Sequence, residues 1–509
     1  MSLTKTAKAL FHQRTQWETL WDTAYRFIAP ERATIFATGA RESASSIQAS
    51  VFDSTAIDAA EKLVNLLMSG LLPAWAEWFR LTPGLALEGN DDAEVQQALQ
   101  DSTKLIHAFL ASTNFYSEMQ PAMLDRVVGG TGGLEIKEHG DKLYFRCIPL
   151  SELALHEDSL GRTSTLARRT TIDIGSLLRF YEDKLPPHML EQFKNAPTTD
   201  TKDVYALAQL QADDQWLYTL VMDGTPEIVL ETQTTEYSRL VASRWSKVPG
   251  WPYGRGPGLR TLSDVRALNK LKELTLKNAA LAVAGVYTVV NDGILNPYTV
   301  LIEPGARIPV ATNSPNDPSI LPLPTAADFN VSNFSMDELR NSIKVAFMAD
   351  QFQPLGRTPM SATEVAERTR VIASDMGASL ARLQSELILP ILKYVTRWLQ
   401  KKGQLPEFLD MDGVVAEVQF VSRLSQAQWA EDRQNISELL AFAGAVGQVD
   451  QRAGLVVDGE AAVREMAALF GTPAKMLRSV EQVTENVQAA QQAAQQAQQQ
   501  GLVEGEIPQ

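Results

Sequence analysis

The sequence predicts a mainly helical α+β fold with β hairpins, and three observations carry that prediction. Apolar residues recur at three- and four-residue spacing through most of the chain. Residues 134–231 instead hold short alternating runs broken by turn residues, among them Asp223-Gly224, a strong hairpin signal. Two further helical patterns, at 259–282 and 335–349, bracket a short insert punctuated by Gly, Asn and Pro.

In chain order, residues 5–28 read as an amphipathic helix, with Leu10, Trp17, Leu20, Trp21, Ala24 and Ile28 near the helical period and Pro30 beyond. A second helix is predicted from Ala56 to Leu72, ahead of Pro73 and the cluster Trp75, Trp78, Phe79. Helices at 92–111 and 118–128 follow, the latter ending at Gly129, Gly130, Gly132 and Gly133. Leu134 and Ile136 then alternate with polar residues, His139-Gly140-Asp141 supplies a turn, and Tyr144 to Ile148 returns as a strand. A helix is predicted over Gly175 to Asn195, and a second hairpin over 216–221 and 227–231.

Pro249 to Gly258 reads as a rigid connection before a long helix. Leu259, Leu262, Val265, Leu268, Leu271 and Leu274 step by three, so each step turns the line back by about 60° and the stripe spirals around the helix. Such a stripe suits a helix touched from several sides. Short strands within 284–308 and a Pro-rich passage lead to the helix at 335–349. Residues 350–360, with Pro354, Gly356 and Pro359, read as a loop, and Ser361 with Glu364 forms a capping box for a helix of about 60 Å reaching Gly403, kinked at Pro390. A strand at 414–421 and helices at 426–446 and 460–470 complete the pattern, before a segment, 488–500, made only of Gln and Ala.

Lys plus Arg number 46 against 61 Asp plus Glu, a formal charge of −15 that disfavours a conventional DNA-binding surface. The single cysteine, Cys147, excludes an intrachain disulfide and a thiolate zinc site. It falls in a predicted strand, where it is a small buried hydrophobe. No stretch approaches the roughly 20 apolar residues of a membrane span, and nothing resembles a secretory signal. The five histidines lack metal-ligand spacing. Leu134 stands where a phosphate loop needs Lys-Ser or Lys-Thr, and Asp410-Met411-Asp412-Gly413 opens like a calcium loop without its later ligands, so it is read as a turn. One cluster departs from the acidic background: Arg260, Arg266, Lys270, Lys272 and Lys277 outnumber Asp264 and Glu273 on one helix, which fits either a solvated face or a surface near phosphates.

Several strings then stand out: Phe52-Asp53-Ser54-Thr55-Ala56, Trp78-Phe79-Arg80-Leu81, Asn114-Phe115-Tyr116, Pro252-Tyr253-Gly254-Arg255-Gly256-Pro257-Gly258, and Met360 through Arg368. On these the chain resembles the portal, or head-to-tail connector, proteins of short-tailed double-stranded DNA bacteriophages, with the string Tyr253, Gly254, Arg255, Gly256, Pro257 the most telling. The resemblance spans nearly the whole length and weakens beyond about residue 405. It implies a homododecameric ring at one capsid vertex, through which double-stranded DNA passes without sequence specificity during packaging and ejection. The parts it implies are a wing (1–258), a first stem helix (259–282), a clip (283–334), a second stem helix (335–349), a tunnel loop (350–360), a long kinked helix of wing and crown (361–403), crown helices (404–480) and a Gln/Ala-rich tail (481–509).

Implied partners are the major capsid and scaffolding proteins, the terminase packaging motor and a tail adaptor, in a virion protein made in the host cytoplasm. No cofactor and no enzymatic site are implied. Residues expected to face DNA are Arg266, Lys270, Lys272, Lys277, Phe352 and Arg357. Those expected at subunit contacts are Leu262, Val265, Leu268, Leu271 and Leu274. The competing readings are an enzyme whose Gly129–Gly133 loop binds a ligand, and a non-viral helical scaffold or adaptor.

Overall fold

The computed structural model describes residues 2–33, 49–84, 93–224, 226–284, 287–289, 312–314, 317–318, 320–322, 329–349, 362–411, 415–421, 430–447, 457–470 and 483. It opens with α1 (Leu3–Gln13) and α2 (Thr15–Ile28), where one continuous helix was expected. The break falls at Arg14, whose buried guanidinium donates to the Leu150, Ser151 and Leu153 carbonyls at 2.7–2.8 Å and pairs with Glu18. Turning the chain there lets two helices cover different surfaces. α3 (Thr55–Leu71), β1 (Phe79–Pro83), α4 (Ala93–Ser112) and α5 (Phe115–Val128) follow.

Next come β2 (Thr131–His139), β3 (Lys142–Ile148), β4 (Leu153–Glu157) and β5 (Thr163–Asp173). The helix expected over 175–195 is two, α6 (Ile174–Tyr181) and α7 (Pro187–Lys194), because Pro186 and Pro187 cannot continue a helix from the preceding turn. β6 (Thr201–Leu210), β7 (Trp216–Met222), β8 (Ile228–Thr235) and β9 (Leu240–Arg244) complete two antiparallel sheets, ordered β3-β2-β9 and β4-β5-β6-β7-β8. The five-stranded sheet is buried on both faces. Val204, Ala206 and Ala208 of β6 join the main core, while Tyr205 and Leu207 pack with Ala7, Leu10 and Phe11 of α1. That is the two-residue period of a strand expressed as two separate apolar layers.

After a short turn at Pro257–Arg260 comes α8 (Leu262–Ala284), then β10 (Tyr287–Val289) paired with β11 (Ile320–Pro322), and α9 (Phe329–Ala346). The expected helix, small β insert, helix order is therefore present. The long helix is α10 (Ala362–Leu383), a π-helical turn at Gln384–Ile388, and α11 (Leu389–Lys401). β12 (Ala416–Phe420) pairs with β1, Phe79 opposite Phe420, tying the N-terminal helices to the C-terminal part, and α12 (Ala430–Gly447) and α13 (Gly459–Phe470) follow. The expected loop at 350–360, the capping Ser361, most of the strands expected within 284–308, and the Gln/Ala segment lie outside the described residues.

Candidate functional site

The two glycine-rich strings of the sequence meet. Gly130 has φ +84° and a Cβ there would overlap the Gly254 carbonyl, while a Cβ on Gly256 would overlap the Val127 carbonyl and one on Gly258 would lie 2.7 Å from the Val128 carbonyl. Backbone thus lies directly on backbone, which only glycine permits. The joint is pinned by hydrogen bonds: the Trp245 amide donates to the Gly130 carbonyl at 2.8 Å, and the Gly254 amide to Thr131 Oγ1 at 2.9 Å. Tyr253 is buried edge-on against Trp17 and Trp21, ring centroids 5.2 and 4.8 Å away, and its hydroxyl accepts from the Leu155 amide at 3.3 Å. Arg255 stays exposed, its amide bonded to the Ser246 carbonyl, and Pro257 starts the turn that leads into α8. The space a ligand would need beside Gly129–Gly133 is filled by residues 254–258, which removes the phosphate-loop geometry.

This joint anchors one end of an antiparallel helix pair. The Arg260 guanidinium donates to the Ala346 carbonyl at 3.3 Å, and Ser342 Oγ reaches Asp264 Oδ2 at 3.0 Å. Residues 50–53 fasten both helices. Asn269 of α8 accepts from the Phe52 amide at 2.7 Å and donates to the Ser50 carbonyl at 3.1 Å. Arg340 of α9 pairs with Asp53 at 2.8 Å. Burial opposes ionisation of Asp53, but hydrogen bonds from Thr55 and Arg340 hold its carboxyl below the usual range. The Phe52-Asp53-Ser54-Thr55-Ala56 string is therefore a clasp, and Thr55 also opens α3.

The leucine line divides along its length. Leu262, Val265 and Leu268, expected at subunit contacts, are 6%, 4% and 2% exposed and belong to the chain's own core with Met336, Ile343 and Phe347 of α9. The reason is the spiral itself, whose first turns face α9 and the 50–53 clasp. Leu271 is half-buried, and Leu274 is 45% exposed beside Leu276 at 46%. On α9, Phe334 (74%) and Val345 (60%) are exposed apolar residues among those described.

The basic cluster divides too. Arg266, Lys270 and Lys277 share one exposed face, whereas Lys272 lies about 120–160° round from them and is half-buried, so the four cannot converge on one surface. Glu273 takes Lys277 at 2.5 Å and Lys270 at 2.9 Å, bonds that hold its carboxyl below the ordinary range. Arg266 has no ion pair among the described residues. Phe352 and Arg357 lie outside the described residues.

Among the described residues, the cysteine and His107 are held in ways that do not favour covalent chemistry. Cys147 is buried, and burial together with nearby Asp125 pushes its thiol up to about 12, so the thiolate nucleophile is not formed at neutral pH. His107 contacts the Phe79 carbonyl and is pulled down by burial. Among the described residues no group of three His, Cys, Asp or Glu could hold a metal, and no helix is long and apolar enough to cross a membrane.

Sequence reasoning missed the buried ions. Glu135 alternates with Leu134 and Ile136 and so reads as solvent-facing, yet it is 1% exposed and bonded to Arg168 and, at 3.0 Å, to Tyr218. Arg126 is wholly buried, its guanidinium over the Trp245 ring and donating to the Ser379 carbonyl of α10. No local sequence signal marks either, because both depend on which sheet face a later element covers.

The model of the family described as bacteriophage head to tail connecting protein matches residues 1–477. The chain is 25% identical over 454 residues to a probable portal protein of Bordetella phage BPP-1, covering 86% of this chain and 81% of that one. It is 25% identical over 360 residues to the portal protein of Escherichia phage T7, covering 68% and 65%, and 22% identical over 520 aligned residues to that of Salmonella phage epsilon15, covering 96% and 92%. Among solved structures, a chain from the neck of an empty gene transfer agent particle aligns over 87% of this chain and 98% of its own, at 13% identity and a TM-score of 0.36. By the family match over most of its length, this chain belongs to the bacteriophage head to tail connecting proteins.

Proposed function

We propose that this chain is a portal protein: a structural conduit, without enzymatic activity of its own, that forms a ring of twelve at one capsid vertex and passes double-stranded DNA during packaging and ejection. The observation that carries this reading is the family match over residues 1–477. In it, residues 1–258 form the wing, α8 and α9 the stem, the insert between them the clip, residues 350–360 the tunnel loop, and the helices beyond 404 the crown. The clip meets the terminase motor and tail adaptor, and the wing meets capsid and scaffolding proteins. The virion is the site of function and the host cytoplasm the site of synthesis.

The physics of the stem suits a ring. A helix pair clasped rigidly at one end, with apolar and charged side chains left exposed on its flanks, has surfaces to offer neighbouring copies. Phe352 and Arg357, whose segment holds two prolines and a glycine in sequence, are the residues proposed to approach DNA, together with Lys277 toward the far end of α8. A chain carrying −15 also makes few phosphate contacts, which keeps the conduit from gripping what must slide through it. Mass photometry and negative-stain imaging of the purified chain test the reading. Closed rings near twelve times 56.0 kDa, with an opening wide enough for duplex DNA, are expected. A stable monomer or dimer that melts higher with a small ligand would overturn it in favour of an enzyme.

A further inference from the structure

The exposed flanks of the helix pair are opposite in character. On α8, Arg266, Lys270 and Lys277 lie about 120–160° round from Asp264, the residue that touches α9, so they point away from that helix. Leu274 sits on the same exposed face. On α9, Phe334, Asp337, Asn341 and Val345 lie about 60–140° round from Ser342, the residue that touches α8, and Glu338 is exposed beside them. One flank is net basic with a leucine, Glu273 bridging Lys270 and Lys277 within it; the other carries Asp337 and Glu338 with an aromatic ring, Lys344 lying two turns along from Asp337. Two of these charges, Arg266 and Glu338, have no ion pair among the described residues, and Asp337 is held only by an exposed pair with Arg340 of its own helix.

Height matches as well as charge. The Asp264–Ser342 contact and, from the turn just before α8, the Arg260–Ala346 contact keep one offset, four residues forward in the chain for four back on α9. With that offset Asp337 and Glu338 fall level with Asn269 and Leu268, between Arg266 and Lys270, and Phe334 falls level with Lys272, half a turn from Leu274. Copies related by rotation about a ring axis stay at one height along it, so level residues of adjacent copies meet when the pair runs along the axis.

We propose that the basic flank of α8 in one copy seats against the acidic, aromatic flank of α9 in the next, with Arg266 and Lys270 facing Asp337 and Glu338, and Leu274 facing Phe334. This rests on the ring assembly proposed for the chain. The contact is heterologous, so it propagates from copy to copy until rotation closes it. It also places Arg266 and Lys270 between subunits rather than along the DNA path.

Charge reversal tests it in the full chain. R266E/K270E and D337K/E338K should each keep the wild-type circular dichroism melt, since all four side chains are exposed or half-buried, yet each should lower the ring fraction by about tenfold or more through like-charge contact. Combining all four substitutions should restore rings. Mixing the two double variants should also restore them, because in an alternating ring every contact is again opposite in sign. Rings that persist in either double variant, or a loss that neither combination nor mixing repairs, would overturn the pairing alone. R266E/K270E particles that assemble normally but lose retained DNA would overturn it in favour of a channel-facing role. Wild-type protein that never forms rings would overturn the assembly itself and this contact with it.

Discussion

At the scale of single residues, the glycines decide the geometry. Gly254, Gly256 and Gly258 can be told from ordinary turn glycines only by what lies opposite them, and that is the backbone of residues 127–130. Gly256 has an ordinary φ of −86°, so its need for glycine is purely steric. Adding a methyl group there must push α5 and the turn before α8 apart. Gly256→Ala is expected to cost about 1–3 kcal/mol in unfolding free energy, and more if the joint cannot relax. Gly444 makes the contrast: its position in α12 is open, so Gly444→Ala is expected to leave stability unchanged or raise it by up to about 1 kcal/mol through helix propensity. Denaturant titration of the two variants checks both signs. Equal effects would mean that the close approach carries no stability. The sequence marks the 252–258 string as rigid and distinctive, but its partner strand of glycines is visible only once the chain is folded.

At the scale of elements, helices were the legible part, because amphipathic spacing is a local property: the patterns at 56–72 and 92–111 match α3 and α4 to within a residue or two. Strands were legible where a hairpin turn and alternation coincide, as in β2–β3 and β7–β8. β5 was missed because Thr163–Asp173 is mostly polar and its buried members include Arg168, whose burial depends on Glu135 and Glu152. The kink expected at Pro390 is a π-helical turn just ahead of it. Proline lacks an N–H and crowds the carbonyl four residues back, and a wider turn accommodates both. Glu386 in that turn accepts from the Arg244 amide at 2.8 Å and pairs with its guanidinium at 2.7 Å, locking the long helix to β9. The first helix shows how a remote acid can fasten an element. Glu227 accepts from the Ser2 and Thr4 hydroxyls at 2.8 Å and from the Leu3 and Thr4 amides, so it caps α1 from across the fold. The Ser2 and Thr4 bonds hold its carboxyl at about 2, below the ordinary 4.5, with burial working slightly the other way. A lowered value in the folded state means its stabilising contribution is complete above about 4.5 and is lost as pH falls toward 2. Hydrogen-exchange protection over residues 3–13, relative to intrinsic exchange, should therefore fall between pH 4.5 and 2 in the wild type. In Glu227→Gln it should already be low at pH 7 and vary little over that window, and an unchanged pH response in the variant would assign the effect to another acid.

At the scale of the whole molecule, the core is continuous from Trp17 to Ala416, uniting α2, α3, both sheets, the α8–α9 pair and α11, and among the described residues the last buried apolar one is Ala467 in α13. The family match stops nearby, at residue 477. Beyond that, no large apolar side chain lies between Val487 and Leu502, and Gln and Ala supply helix propensity without burial, so a lone helix there gains almost nothing from packing. The exposed Leu439, Phe442 and Val463 of α12 and α13 belong to described helices, not to this tail, and would remain after its removal. Truncation after Ser479 should therefore leave both the thermal midpoint and the copy number of the proposed ring unchanged, because the sequence removed is poor in large apolar residues. Calorimetry and negative-stain imaging of the truncated chain check this directly. A midpoint lower by many degrees, or the loss of rings, would show that the Gln/Ala segment gains its burial from neighbouring copies and is part of the assembly's structure. An unchanged ring would confine any role of the segment to steps after assembly, such as contact with internal DNA.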